Sequence, residues 1–170
     1  MHGLHLTADL RDCPVAGRAV MTEPEALRAS CLSAVAAVGL QPVGELFHRF
    51  APAPGAAVDT RGEPLVGITG VVLLAESHLA VHTWPEIAAV TLDVYVCNLG
   101  SDNSQRAHAL LDALIDAFAP QRIERHALQR GREQAERWAA MGHEGSTGGP
   151  QAARIAPGDR PTYSAVEGSS

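Results

Sequence analysis

Between residues 76 and 97 the chain gathers six side chains able to do chemistry: Glu76, Ser77, His78, His82, Glu86 and Cys97. They follow Val71-Val72-Leu73-Leu74, an apolar run that reads as buried strand. His78, His82 and Glu86 are spaced by four, which on a helix would align three metal ligands. Pro85 and the β-branched residues around it argue for extended chain instead. On a strand the two imidazoles stand about 13 Å apart, too far to share one ion, so no metal site is expected. Ser77 lacks the G-x-S-x-G elbow of a hydrolase and, taken alone, reads as a turn hydroxyl. Cys97, at the end of an alternating stretch, reads by itself as packing.

An absence narrows the chemistry further. All 13 Lys+Arg residues are arginine, so no lysine is present to form a Schiff base. Lysine-anchored pyridoxal phosphate, lysine-dependent aldolases and the P-loop lysine are excluded together. If imine chemistry occurs, the amine must come from the substrate and the carbonyl from the protein. The net charge of −6 and the scattered arginines argue against a nucleic-acid surface. The three cysteines, Cys13, Cys31 and Cys97, form no CxxC pair. They suggest neither a disulfide framework nor a zinc ribbon, and a reducing cytoplasm fits them best. No export signal is expected, and no apolar run approaches the ~20 residues that span a bilayer.

The elements that must position these residues follow from periodicity. Residues 5–10 alternate and suit a half-buried strand. Thr22-Glu23-Pro24-Glu25 has the form of a capping box, with Thr22 as N-cap. The helix after it has Leu27, Cys31, Ala34, Val35 and Val38 on one face and ends at Gly39. Residues 43–50 read as a strand, 51–64 as a Pro- and Gly-rich loop, and 65–75 as a strand in which Gly67 and Gly70 mark a bulge or a close approach. Residues 89–97 alternate, with Val90, Leu92, Val94 and Val96 on one face and Thr91, Asp93, Tyr95 and Cys97 on the other. Ser101 or Asp102 is expected to cap a second helix with the stripe Ala107, Leu110, Leu111, Leu114, Ile115 and Phe118, stopped by Pro120. Residues 122–128 form a last, outer strand. The expectation is an α+β fold over 1–130, a two-layer sandwich of a mostly antiparallel sheet with two helices on one face. Residues 131–170 have the composition of a polar, disordered tail, with a short helical segment around Trp138.

Glu76-Ser77-His78-Leu79-Ala80-Val81-His82-Thr83-Trp84-Pro85-Glu86 and Leu92-Asp93-Val94-Tyr95-Val96-Cys97 together resemble the signature of the short bacterial S-adenosylmethionine decarboxylase proenzymes. The likeness extends more loosely back to His5 and forward to about Gly131. It implies that the chain cuts itself between Glu76 and Ser77 into 1–76 and 77–170. Ser77 would attack the Glu76 carbonyl to give an ester, and β-elimination followed by hydrolysis would leave a pyruvoyl group, the cofactor, in its place. By the same resemblance His82 removes the proton in processing, a task suited to an imidazole at neutral pH, and Thr69 stands where a serine usually assists. Cys97 matches the donor that protonates the substrate carbon after carbon dioxide leaves. Glu86 matches a carboxylate on the ribose hydroxyls, and Phe50 an aromatic that stacks on the adenine. Asn98 replaces the usual glycine, and the 51–66 loop is longer than the family's connection.

The substrate so implied is S-adenosylmethionine, feeding polyamine synthesis, and the assembly a homodimer of cleaved protomers with active sites at the interface. Two alternatives stay open: a pyruvoyl-dependent decarboxylase of ornithine or arginine, and a non-catalytic homologue that keeps the fold. On an extended strand Ser77 and His82 lie about 16 Å apart, too far for proton transfer. The chain is therefore expected to reverse near residues 76–79, with the Glu76-Ser77 bond in a tight turn.

Overall fold

The structure, a computed structural model, describes residues 2–16, 18–98 and 101–131. Six strands and two helices follow one another: β1 (Gly3–Arg11), α1 (Pro24–Ala37), β2 (Pro42–Arg49), β3 (Ile68–Leu74), β4 (Ser77–Trp84), β5 (Ala89–Cys97), α2 (Ser104–Phe118) and β6 (Arg122–Arg130). The strands form one sheet in the order β2-β3-β4-β5-β1-β6, and every pairing is antiparallel. The expected α+β fold with both helices on one face is observed.

Alternation decides which face the helices cover. Leu4, Leu6, Ala8 and Leu10 of β1, Leu79 and Val81 of β4, and Val90, Leu92, Val94 and Val96 of β5 are buried in one core with both helices. All six residues of the expected α2 stripe are buried there, and Leu27, Cys31, Ala34 and Val35 supply the face of α1. Each large side chain so placed contributes on the order of 1.5–3 kcal/mol by leaving water. Removing one, as in Leu110→Ala, costs about 2–5 kcal/mol because a cavity adds to the lost transfer. Cys31 sits in this core, where burial pushes its thiol up to about 12. It is packing.

Several boundaries differ from expectation, each for a local reason. Thr22 does not cap α1: the helix begins at Pro24, whose missing N–H costs nothing in the first turn, and Glu23 becomes the N-cap without a side-chain bond. Asn103, rather than Ser101 or Asp102, is the N-cap of α2, although Asp102 Oδ1 still accepts the Ser104 N–H at 2.9 Å. α1 ends with Gly39 at φ +70°, the left-handed conformation that glycine adopts without strain. β3 is shorter than the expected 65–75 stretch. At Gly67 a Cβ would stand 1.9 Å from the Thr83 carbonyl oxygen, so glycine there answers to a close approach of backbone. The polar tail and the segment around Trp138 lie outside the described residues.

Candidate active site

The face of the sheet away from the helices carries the polar side chains. β3 and β4 pair with Leu74 opposite Ser77 and Thr69 opposite His82, so only Ala75 and Glu76 lie in the turn between them. The Glu76-Ser77 bond therefore sits at a tight reversal, as expected. Glu76 adopts φ +62°. A non-glycine residue held in that left-handed region costs about 1–2 kcal/mol. The Ser77 hydroxyl oxygen accepts the Cys97 N–H at 3.1 Å, which fastens the turn to the end of β5. Cys97 itself is buried, with Sγ 4.0 Å from the His2 carbonyl oxygen.

The reversal does not bring Ser77 to His82. Both lie on β4, five residues apart, and the turn folds Ser77 back onto Leu74 instead. The expectation that the bend joins them within one chain is corrected: about 16 Å of straight strand separates them. His82 instead meets Thr69, whose hydroxyl lies 2.6 Å from Nδ1, and its ring packs against Trp84 at 5.9 Å between centroids. When Nδ1–H donates to the threonine oxygen, the Nε2 lone pair is left to take a proton. Thr83, between them and fully buried, accepts the Ile68 N–H at 2.9 Å and donates to the Met21 carbonyl at 3.0 Å. It anchors this end of the hairpin to the layer below.

Beyond Trp84, residues Pro85–Ile87 form a single 3-10 turn that carries Glu86 outward. Glu86, Phe50 and Trp84 line one cavity of 340 Å³. Phe50 is 43 % exposed, held by its N–H to the Gly67 carbonyl at 3.0 Å. Of the seven residues to which the resemblance gives a role, the fold brings Glu76, Ser77 and Cys97 together at the turn. It gathers Thr69, His82, Phe50 and Glu86 at the far end of the hairpin.

Sequence reasoning left three features without a role. Asp93 joins two histidines across three strands: Oδ2 lies 2.7 Å from His5 Nε2, while Oδ1 lies 3.4 Å from His78 Nε2 and has no hydrogen-bond partner. Tyr95 packs beside both rings, under the Arg130 guanidinium at 5.0 Å. The alternation of β5 puts Asp93 and Tyr95 on this face, and only the strand order reveals that His5 is their neighbour. Trp84 is a cavity wall. Asn98 is structural: its side chain accepts the Asn103 N–H at 2.9 Å and donates to Ser104 Oγ at 3.1 Å, tying Cys97 to the start of α2. Among the described residues no group of three His, Cys, Asp or Glu side chains could hold a metal ion.

The family profile for S-adenosylmethionine decarboxylase matches residues 4–131. An S-adenosylmethionine decarboxylase proenzyme of Aquifex aeolicus (strain VF5) is 33% identical over 129 residues, covering 76% of this chain and 81% of that one. One of Hydrogenobaculum sp. (strain Y04AAS1) is 30% identical over the same length and coverage. The crystal structure of the adenosylmethionine decarboxylase from Aquifex aeolicus VF5 superposes with a TM-score of 0.61 at 31% identity, covering 76% of this chain and 90% of that one. With three quarters of its length matched, and relatives at 30% identity or more along most of their own, this chain belongs to the S-adenosylmethionine decarboxylase family.

Proposed function

We propose that the protein is a self-processing, pyruvoyl-dependent S-adenosylmethionine decarboxylase, cut between Glu76 and Ser77, whose product supplies the aminopropyl donor of polyamine synthesis. The observation that carries this reading is the hairpin turn: a left-handed Glu76 presents its peptide bond to a serine whose hydroxyl is already fixed against Cys97. The residues fit the cofactor, because the serine that would become it follows an exposed turn and is hydrogen-bonded to the backbone of the residue that carries the thiol. The pyruvoyl carbonyl would bind the substrate amine and take up the electron density released with carbon dioxide. Cys97 Sγ holds the proton to be delivered to the substrate carbon.

The same geometry supports a homodimer. Ser77 needs a base, yet His82 lies five residues along the same strand and His78, its neighbour, alternates to the other face of the sheet, while Thr69 and His82 pair with no cleavable bond beside them. Two copies packed through their open sheet faces about a two-fold axis would bring the turn of one to the far end of the other, completing two sites. Leu46, Leu73 and Leu128, which register places on that open face, are 67%, 50% and 60% exposed and would gain burial there. The substrate's adenosine would lie in the Phe50–Trp84–Glu86 cavity, with aromatic faces for the ring system and the sulfonium and a carboxylate for the ribose hydroxyls. Apolar walls of this kind favour S-adenosylmethionine over ornithine or arginine.

The three cysteines are free and buried, which suits a reducing cytoplasm. No described helix is long and apolar enough to cross a membrane. Denaturing mass spectrometry tests processing, and carbon dioxide release tests substrate. Two chains meeting at 76/77, and turnover of S-adenosylmethionine above that of ornithine and arginine, are expected. A chain that stays whole at 17.8 kDa after long incubation makes the protein a non-catalytic homologue, and preference for a free amino acid reassigns the substrate.

A further inference from the structure

Residues 51–66 are not a featureless connection. Val58 and Pro64 form an isolated antiparallel bridge, and the Leu65 N–H donates to the Ala57 carbonyl at 2.7 Å. Asp59 holds the tip. Its Oδ1 accepts the N–H of Arg61 at 2.8 Å and of Glu63 at 2.9 Å, and its Oδ2 accepts Arg61 Nε at 2.9 Å. These bonds, that from Glu63 foremost, hold the carboxyl below its ordinary range. The small hairpin so built points its base at a functional cavity. Ala53, Ala56, Ala57 and Leu65 line the same space as Trp84 and Glu86. Ala57 and Leu65 are the two residues bonded to each other, so the Asp59 turn fixes the distance across the wall.

We propose that segment 51–66 is the selectivity element of the substrate site: its alanines form the wall against which the purine ring lies, and Asp59 is the residue that positions it. The inference rests on the reading of this cavity as the nucleoside pocket. Methyl groups offer a flat apolar surface without donors or acceptors, so the wall selects by volume and shape. A larger side chain at Ala57 would occupy the space of the ring, while the Ser77 turn of its own protomer lies at the opposite end of β4.

The test compares steady-state kinetics with S-adenosylmethionine and the extent of cleavage for five variants. Ala57→Leu and Asp59→Ala are expected to raise KM at least about tenfold with kcat nearly unchanged and cleavage at 76/77 intact. Asp59→Asn, whose amide oxygen can still accept both backbone N–H groups, is expected to restore most of the loss. Trp84→Ala and Glu86→Gln report on the pocket itself. If these two raise KM while Ala57→Leu and Asp59→Ala leave it at the wild-type value, the wall proposal is overturned and the pocket stands. If all four leave KM unchanged, the nucleoside reading of the cavity fails. Should Ala57→Leu not fold, the Asp59→Ala and Asp59→Asn pair decides: a KM raised by alanine and not by asparagine supports the proposal, and equal values for both overturn it.

Discussion

The two ends of the β3–β4 hairpin are built for different tasks. The turn end holds a strained residue, a hydroxyl and a thiol: Glu76 at φ +62°, Ser77 bonded to the Cys97 backbone, and Cys97 itself. On the proposed reading it has the bond to break, and its neighbouring imidazole, His78, alternates to the other face of the sheet, toward Asp93. The far end holds Thr69 and His82 at 2.6 Å, Trp84 against the imidazole, and a cavity reaching Phe50 and Glu86. It has a base, and walls for a ring, but nothing to cut. Four residue pairs of regular ladder stand between the Leu74–Ser77 pair and the Thr69–His82 pair. On the reading proposed above, one protomer carries both halves of a site without joining them, so cleavage would depend on association of two copies.

That division is open to direct attack, and the largest effect comes from splitting it between chains. Ser77→Ala and His82→Ala are each expected to abolish cleavage when expressed alone. When the two are co-expressed, mass spectrometry is expected to find the His82→Ala chain cut and the Ser77→Ala chain whole, because only one of the two composite sites has both residues. A His82→Ala protein that cleaves by itself at the wild-type rate would show that Ser77 does not depend on the far end. Cys97→Ala is expected to leave cleavage intact and lower decarboxylation by roughly 10²–10⁴-fold, the range for removing a positioned proton donor. Equal loss in both steps would place Cys97 in processing as well. The smallest effect belongs to Thr69: valine is expected to slow cleavage by about tenfold through loss of one hydrogen bond to the imidazole, and serine to match the wild type. Indistinguishable time courses for valine and serine would mean that the hydroxyl does not orient the ring.

Much of this was legible before any coordinates, and the reasons for the exceptions are physical. The α2 stripe and the β5 alternation needed only periodicity, since burial enforces both. Gly67 and Gly70 announced close approach, and a Cβ at either would collide with a neighbour. The turn at Ala75-Glu76 has no such signature: neither residue is the glycine or asparagine that tight hairpins prefer, so only the distance along a strand argued for a reversal. The bend lies where that distance requires it, but a hairpin returns Ser77 to β3, not to its own strand. The Asp93 bridge between His5 and His78 was out of reach for another reason. β1 lies beside β5 through an antiparallel pairing between residues 88 apart, and nothing in local spacing encodes that adjacency.

The strand order also fixes what a cut at the hairpin leaves behind. Residues before the bond supply β1, β2 and β3, and those after it supply β4, β5 and β6, but the sheet does not divide there. β1 is inserted between β5 and β6, paired along both of its edges. The two segments are therefore interleaved, and separating them would break the pairing of β1 with β5 and β6 as well as that of β3 with β4. A cut at 76/77 would relax a turn while those pairings keep their hold on both pieces, so the molecule would gain a new chain end without coming apart.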